Sequence, residues 1–81
     1  MAATILVADD SATMRMIVQA TLTGAGWTVV TAGNGQEALD LAKRQPVDLV
    51  VSDWNMPVLG GLGLIKGLRE DDRYQDVPVL V

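Results

Sequence analysis

Four short runs of β-branched and aliphatic residues recur along the chain, and one longer stretch of mixed polarity separates each from the next. The runs are Ile5-Leu6-Val7-Ala8, Trp27 to Ala32, Val47 to Val51 and Val77 to Val81. In the third, Val47 and Leu49 to Val51 read as a strand buried on both faces. In the first intervening stretch, Met14, Ile17, Val18, Thr21 and Leu22 fall at helical spacing and line one face. Regular strand–helix alternation with short connections calls for right-handed crossovers and a parallel, doubly wound α/β sheet.

The boundaries are legible from local chemistry. After Asp9-Asp10-Ser11 a helix is expected from about Ala12 to Thr23, stopped by Gly24 and Gly26. Met14 reads as core, Met16 as surface, Trp27 as a strand-end packing residue and Arg15 as part of a solvated helix face. Asn34 with Glu37 three residues on forms a capping box for a second helix. That helix turns Ala38, Leu41 and Ala42 inward and places Lys43 and Arg44 in its last turn, where the dipole favours cations. Gly60, Gly61 and Gly63 lead into a third helix, roughly Leu62 to Glu70, carrying Leu64, Ile65 and Leu68. Glycine inside a helix costs roughly 0.8–1.0 kcal/mol relative to alanine, so this helix is expected to start late or fray. Asp71 to Asp76 reads as a polar connection to the fourth strand.

Eighty-one residues make one small domain. A chain of this length buries only about 60–65% of the surface its unfolded form exposes. The 49% apolar content is high for that size. It fits a sheet covered on both faces, or a piece of a larger domain. A net charge of -4 with scattered Lys and Arg argues against nucleic acid as a partner. Without Cys or His, disulfides and zinc are set aside, while a hard cation held by oxygen ligands is not. Thr4 to Ala8 is too short for a signal peptide, and no run approaches the roughly 20 apolar residues of a membrane span. A cytoplasmic protein that does not engage membranes is the expectation.

Acidic residues stand where such a sheet does its work. Asp9 and Asp10 end the first strand, Asp53 ends the third, and these strands are neighbours at the topological switch point. Carboxylates converging there repel one another, and they persist together when a cation neutralises them or some are protonated. Oxygen ligands on strand ends suit Mg²⁺. Two simpler roles compete: Asp53 opening a loop, and Asp9 or Asp10 capping the first helix.

The wording around these acids is specific. Asp9-Asp10-Ser11-x-x-Met14-Arg15 after the first strand, with Asp53-Trp54-Asn55-Met56-Pro57 after the third, resembles the receiver domain of two-component response regulators. Single-domain chemotaxis regulators resemble it most. The resemblance implies a flavodoxin-like fold with strand order 2-1-3-4. It implies that Asp53 is the phospho-acceptor for a sensor histidine kinase. It implies that Asp9 or Asp10, or both, hold Mg²⁺ together with Asp53 and the backbone carbonyl of Asn55. Met56-Pro57 would shape the loop beside the acceptor, and Trp54 would report on metal binding or gate access. The chain would act as a signalling module, not an enzyme, read by a downstream effector.

Departures from the family pattern temper this. Gly60 stands where the family usually has an acid, and Gly63 where an acidic or polar helix residue is common. Residues 1–81 correspond to the N-terminal portion of a receiver, lacking the fourth helix, fifth strand and fifth helix and truncated within the fourth strand. The family's phosphate-contacting Ser or Thr and its Lys fall beyond Val81. An open fourth-strand edge beside an uncovered apolar face invites a homodimer or a domain-swapped assembly. The competing expectation is therefore a half-domain that self-associates or complements another chain and does not signal. A phosphatase with a D-x-D motif fits poorly, because the acidic pair is adjacent.

Overall fold

Local side-chain chemistry starts two of the three helices. Ser11 Oγ accepts the Met14 N–H at 3.2 Å, and Asn34 Oδ1 accepts the Glu37 N–H at 2.8 Å. In the second case Glu37 reaches back to the N–H of Gly33, one residue before the cap, at 3.2 Å. The third helix has only Gly60 at its N-cap and no side-chain bond there. It nevertheless starts at Gly61, one residue earlier than its composition suggests.

The computed structural model describes residues 3–53, 56 and 58–80. Its elements run β1 (Thr4–Ala8), α1 (Ala12–Gly24), β2 (Thr28–Ala32), α2 (Gly35–Arg44), β3 (Leu49–Ser52), α3 (Gly61–Arg69), a 3-10 turn (Asp72–Tyr74) and β4 (Val79–Leu80). The sheet is parallel with order β2-β1-β3-β4, as the sequence implies. β1 lies between β2 and β3, pairing Thr4 with Thr28 and Ile5 with Leu49. Its residues Ile5 to Ala8 are fully buried. The path from β1 to β2 runs opposite to those from β2 to β3 and β3 to β4. Right-handed crossovers therefore put α1 on one face and α2 and α3 on the other.

The two faces are unequally filled. The main core joins Leu6, Ala8, Ala32 and Val50 of the sheet to Ala38 and Ala42 of α2 and Leu64 and Leu68 of α3. α2 packs directly on α3, where Gly67 lets Leu39 approach so closely that a methyl group there would meet its Cδ2 at 2.6 Å. α1 instead packs on β1 and β2 and has no fully buried residue. Met14, expected in the core, is 46% exposed and Ile17 is 54% exposed, because nothing among the described residues covers the α1 face beside β3. Leu80 of β4 is 58% exposed on that side.

Two boundaries shift for physical reasons. Val47 is buried but precedes β3, whose start is set by Asp48, with its Oδ2 accepting the Thr4 N–H at 2.8 Å. Trp27 directly precedes β2 and is 42% exposed, so its side chain is only partly covered at the strand end.

The segment Asp71 to Asp76 is more than a polar connection. Tyr74 is 3% exposed and belongs to the main core. Its hydroxyl lies 2.6 Å from the Ala42 carbonyl and 2.9 Å from that of Gln45, and it accepts the Val47 N–H at 3.3 Å. Arg73 reaches the carbonyls of Ala42 and Lys43 at 3.4 and 3.3 Å. The turn thereby occupies the C-terminus of α2, whose last carbonyls have no partner within the helix. Among the described residues, no helix is long and apolar enough to cross a membrane.

Candidate metal centre

The sheet's hydrogen-bond ladder carries its acids to one edge. Beyond the last paired residues, the Asp9 N–H donates to the Ala32 carbonyl at 3.1 Å and the Asp53 N–H to the Ala8 carbonyl at 2.8 Å. Each ladder thus runs one residue further and delivers a carboxylate at the C-terminal edge of β1 and of β3. Asp10 follows on the loop into α1. One carboxylate oxygen from each of Asp9, Asp10 and Asp53 lies within 4.8 Å of the others. The expected convergence is present.

The simpler roles weighed for these acids do not account for the cluster. Ser11, not Asp9 or Asp10, caps α1. Asp9 Oδ1 accepts the Ser11 N–H at 2.9 Å, which fixes the carboxylate's direction while leaving its second oxygen without a partner among the described residues. Asp9 is partly buried and Asp10 exposed. Three anions at this spacing without a lysine or arginine bound to any of the carboxylates suit a hard divalent cation.

Arg15 is the residue that periodicity alone misjudged. Its guanidinium is partly buried, not free on a solvated face, and donates to the backbone carbonyl of Asp9 at 2.6 Å. The cation braces the β1–α1 loop and contributes positive charge behind the carboxylates without capping them. The signal that would have found it is its place one turn along a helix from the acids, within reach of their backbone.

Beyond Asp53, Met56 packs against the main core, consistent with a part in shaping the loop. Trp54, Asn55 and Pro57 lie outside the described residues, so their expected roles rest on the sequence. At the far end of this loop, the Leu59 carbonyl accepts the N–H of Gly35 at 2.8 Å, joining it to the start of α2. A groove lined by Leu39, Lys43, Gly67 and Glu70 to Asp72 lies between α2 and α3 and shares no residue with the acidic cluster.

Comparison with known proteins agrees with this geometry. Residues 5–81 match the response regulator receiver domain family. A chemotaxis protein CheY homolog of Campylobacter jejuni is 44% identical over 79 residues, covering 95% of this chain and 61% of the relative. Chemotaxis protein CheY1 of Helicobacter pylori is 39% identical, with 95% and 64% covered. The chain thus spans about three fifths of the length of these relatives. Among solved structures, CheY4 of Vibrio cholerae superposes with a TM-score of 0.95 at 39% identity, covering 98% of this chain and 66% of that one. The receiver domain of a sensor histidine kinase from Pseudomonas aeruginosa superposes at 0.91 with 26% identity, covering 98% and 65%, and holds a magnesium ion in its active-site cleft.

Proposed function

The chain belongs to the response regulator receiver domain family, and on that premise we propose that it is the phosphoacceptor portion of a two-component relay. A sensor histidine kinase phosphorylates Asp53 in a Mg²⁺-dependent step of chemotaxis-like signalling in the cytoplasm, and an effector protein reads the product. The observation that carries this reading is the approach of Asp9, Asp10 and Asp53 to within 4.8 Å of one another.

In this reading an Asp53 carboxylate oxygen attacks the phosphorus of the kinase's phosphohistidine. A carboxylate-oxygen–phosphorus bond forms, the nitrogen–phosphorus bond breaks, and its electron pair returns to the imidazole. A carboxylate is already ionised at neutral pH, so no general base is required. Phosphoryl transfer depends chiefly on positioning and on neutralising charge. Mg²⁺, when bound, supplies that neutralisation. Asp9, Asp10, Asp53 and the Asn55 carbonyl are the proposed ligands. Asp9 is held for the task by the Ser11 N–H, and its backbone by Arg15.

Incubation with acetyl phosphate and Mg²⁺ should place one acid-labile phosphate on the chain, and Asp53→Asn should take up none. Equal uptake by the variant would remove Asp53 as acceptor.

A second reading draws support from the half-covered face formed by Met14, Ile17 and Leu80 and from the short β4 edge. In it, the chain self-associates or completes another chain and does not signal. Sedimentation that finds a folded monomer at high concentration would remove that alternative.

A further inference from the structure

Ala8 and Ser52 are register partners in β1 and β3, and an acid follows each of them. The peptide groups of those two acids are held from both sides. At Asp9 the N–H donates to the Ala32 carbonyl at 3.1 Å, and the carbonyl accepts from the Arg15 guanidinium at 2.6 Å. At Asp53 the N–H donates to the Ala8 carbonyl at 2.8 Å, and the carbonyl accepts from the Ser52 hydroxyl at 2.9 Å. Ser52 is buried, so its hydroxyl needs a partner inside the fold and finds one in the Asp53 carbonyl.

Asp9 is restrained a third time, because its Oδ1 accepts the Ser11 N–H at 2.9 Å. A grip on a cation through both oxygens would draw Oδ1 away from that donor. Asp9 is therefore set to ligate through its other oxygen alone.

Restraint of this kind discriminates between cations of equal charge. Mg²⁺ demands near-ideal octahedral geometry at about 2.0–2.1 Å. Ca²⁺ takes about six to eight oxygens at roughly 2.3–2.6 Å in a flexible shell, with carboxylates often binding through both oxygens. Ca²⁺ gains when the ligating backbone can give way, and clamped strand ends deny it that freedom. Mg²⁺ gains from ligands held still.

We propose that Arg15 and Ser52 are positioning residues that make the acidic centre select Mg²⁺ over Ca²⁺, by clamping the peptide groups of Asp9 and Asp53. The inference rests on the proposed Mg²⁺ reading and deepens it to the choice of ion. Neither residue is a proposed ligand; each acts through the acid whose carbonyl it holds. Partners that orient a metal ligand from outside the ion's own shell typically change affinity by about 10–100-fold when altered.

The test is calorimetric titration of the whole chain with Mg²⁺ and, separately, with Ca²⁺, read as the ratio of the Ca²⁺ to the Mg²⁺ dissociation constant. The two ions carry the same charge, so loss of the Arg15 cation shifts both constants alike and cancels in the ratio. Arg15→Met and Ser52→Ala should each lower the ratio about 10-fold, with cooperative urea unfolding retained. Ser52→Thr keeps the hydroxyl and should hold the parent ratio, while Arg15→Lys keeps one donor group and should fall between. Thr21→Ala is the control. It removes a hydroxyl-to-carbonyl bond of 2.8 Å to Ile17, further along α1, and should leave the ratio where it was. If Arg15→Met does not fold, the Ser52 pair decides alone.

A merely structural role predicts lower unfolding midpoints with an unchanged ratio in the folded variants. That result, or a parent that binds Ca²⁺ at least as tightly as Mg²⁺, would overturn the inference while leaving the metal reading intact. A parent that binds neither ion removes the metal reading, and the selectivity with it.

Discussion

The hydroxyl of Tyr74 sits 2.6 Å from the carbonyl oxygen of Ala42, 32 residues earlier in the chain. The contact joins the turn after α3 to the end of α2 and leaves the Tyr74 ring in the main core. Its aromatic body fills space while its polar tip accepts from the Val47 N–H and lies beside the carbonyls of Ala42, which Arg73 also reaches, and Gln45.

Tyr74→Phe should therefore destabilise the fold by about 1–3 kcal/mol, the usual cost of stranding buried hydrogen-bonding groups. Urea denaturation should show a lower midpoint with an unchanged slope. Amide exchange at Val47 should accelerate selectively.

The acidic cluster predicts opposite effects of one substitution under two conditions. Without divalent ions, Asp10→Asn should raise the thermal midpoint, since removing one of three mutually repelling carboxylates relieves on the order of 1 kcal/mol. With Mg²⁺ in excess the parent should gain more stability than the variant, because a ligand that binds only the folded state stabilises it. Calorimetric scans with and without EDTA would read both. Equal responses to Mg²⁺ would separate Asp10 from the metal centre.

Val58 is 81% exposed and adopts φ of 71°. Asparagine and glycine occupy this region with little penalty, whereas an L side chain of valine's shape costs roughly 1–2 kcal/mol. Val58→Asn should accordingly stabilise the protein by about 1 kcal/mol, seen as a higher urea midpoint.

Asp71 supplies a pH dependence of known sign. The Arg73 side chain, and then the Arg73 N–H, bond its carboxylate and hold its pKa below the ordinary aspartate value of about 3.8. A depressed folded value stabilises the native state above that range, and the gain vanishes as pH falls through the folded value. Asp71→Asn keeps an acceptor for the turn but no charge. Its stability should fall slightly short of the parent's at neutral pH and match it in strong acid. The margin is small because the pair is solvent-exposed and screened.

How much of this the sequence discloses depends on the range of the interaction. The Asn34 cap is readable in a short window. The meeting of Asp9, Asp10 and Asp53 follows from strand–helix alternation and the topological switch point, and the strand order is what the family resemblance implies. Tyr74 hides in a polar segment, and only the approach of α2's C-terminus makes it core. Met14 has the spacing of a core residue, yet burial depends on what lies opposite, which spacing does not encode. Gly63 looks like a flaw in α3 until Leu59 is seen beside it. In each case the deciding partner lies outside the window being read.

β1, the first strand in sequence, occupies the interior of the sheet between β2 and β3. During ribosomal synthesis Ile5 to Ala8 therefore emerges before either flanking strand is made. Parallel pairing of this kind is slow because distant segments must meet first. An unshielded, highly apolar strand is in that interval a natural client for a holding chaperone.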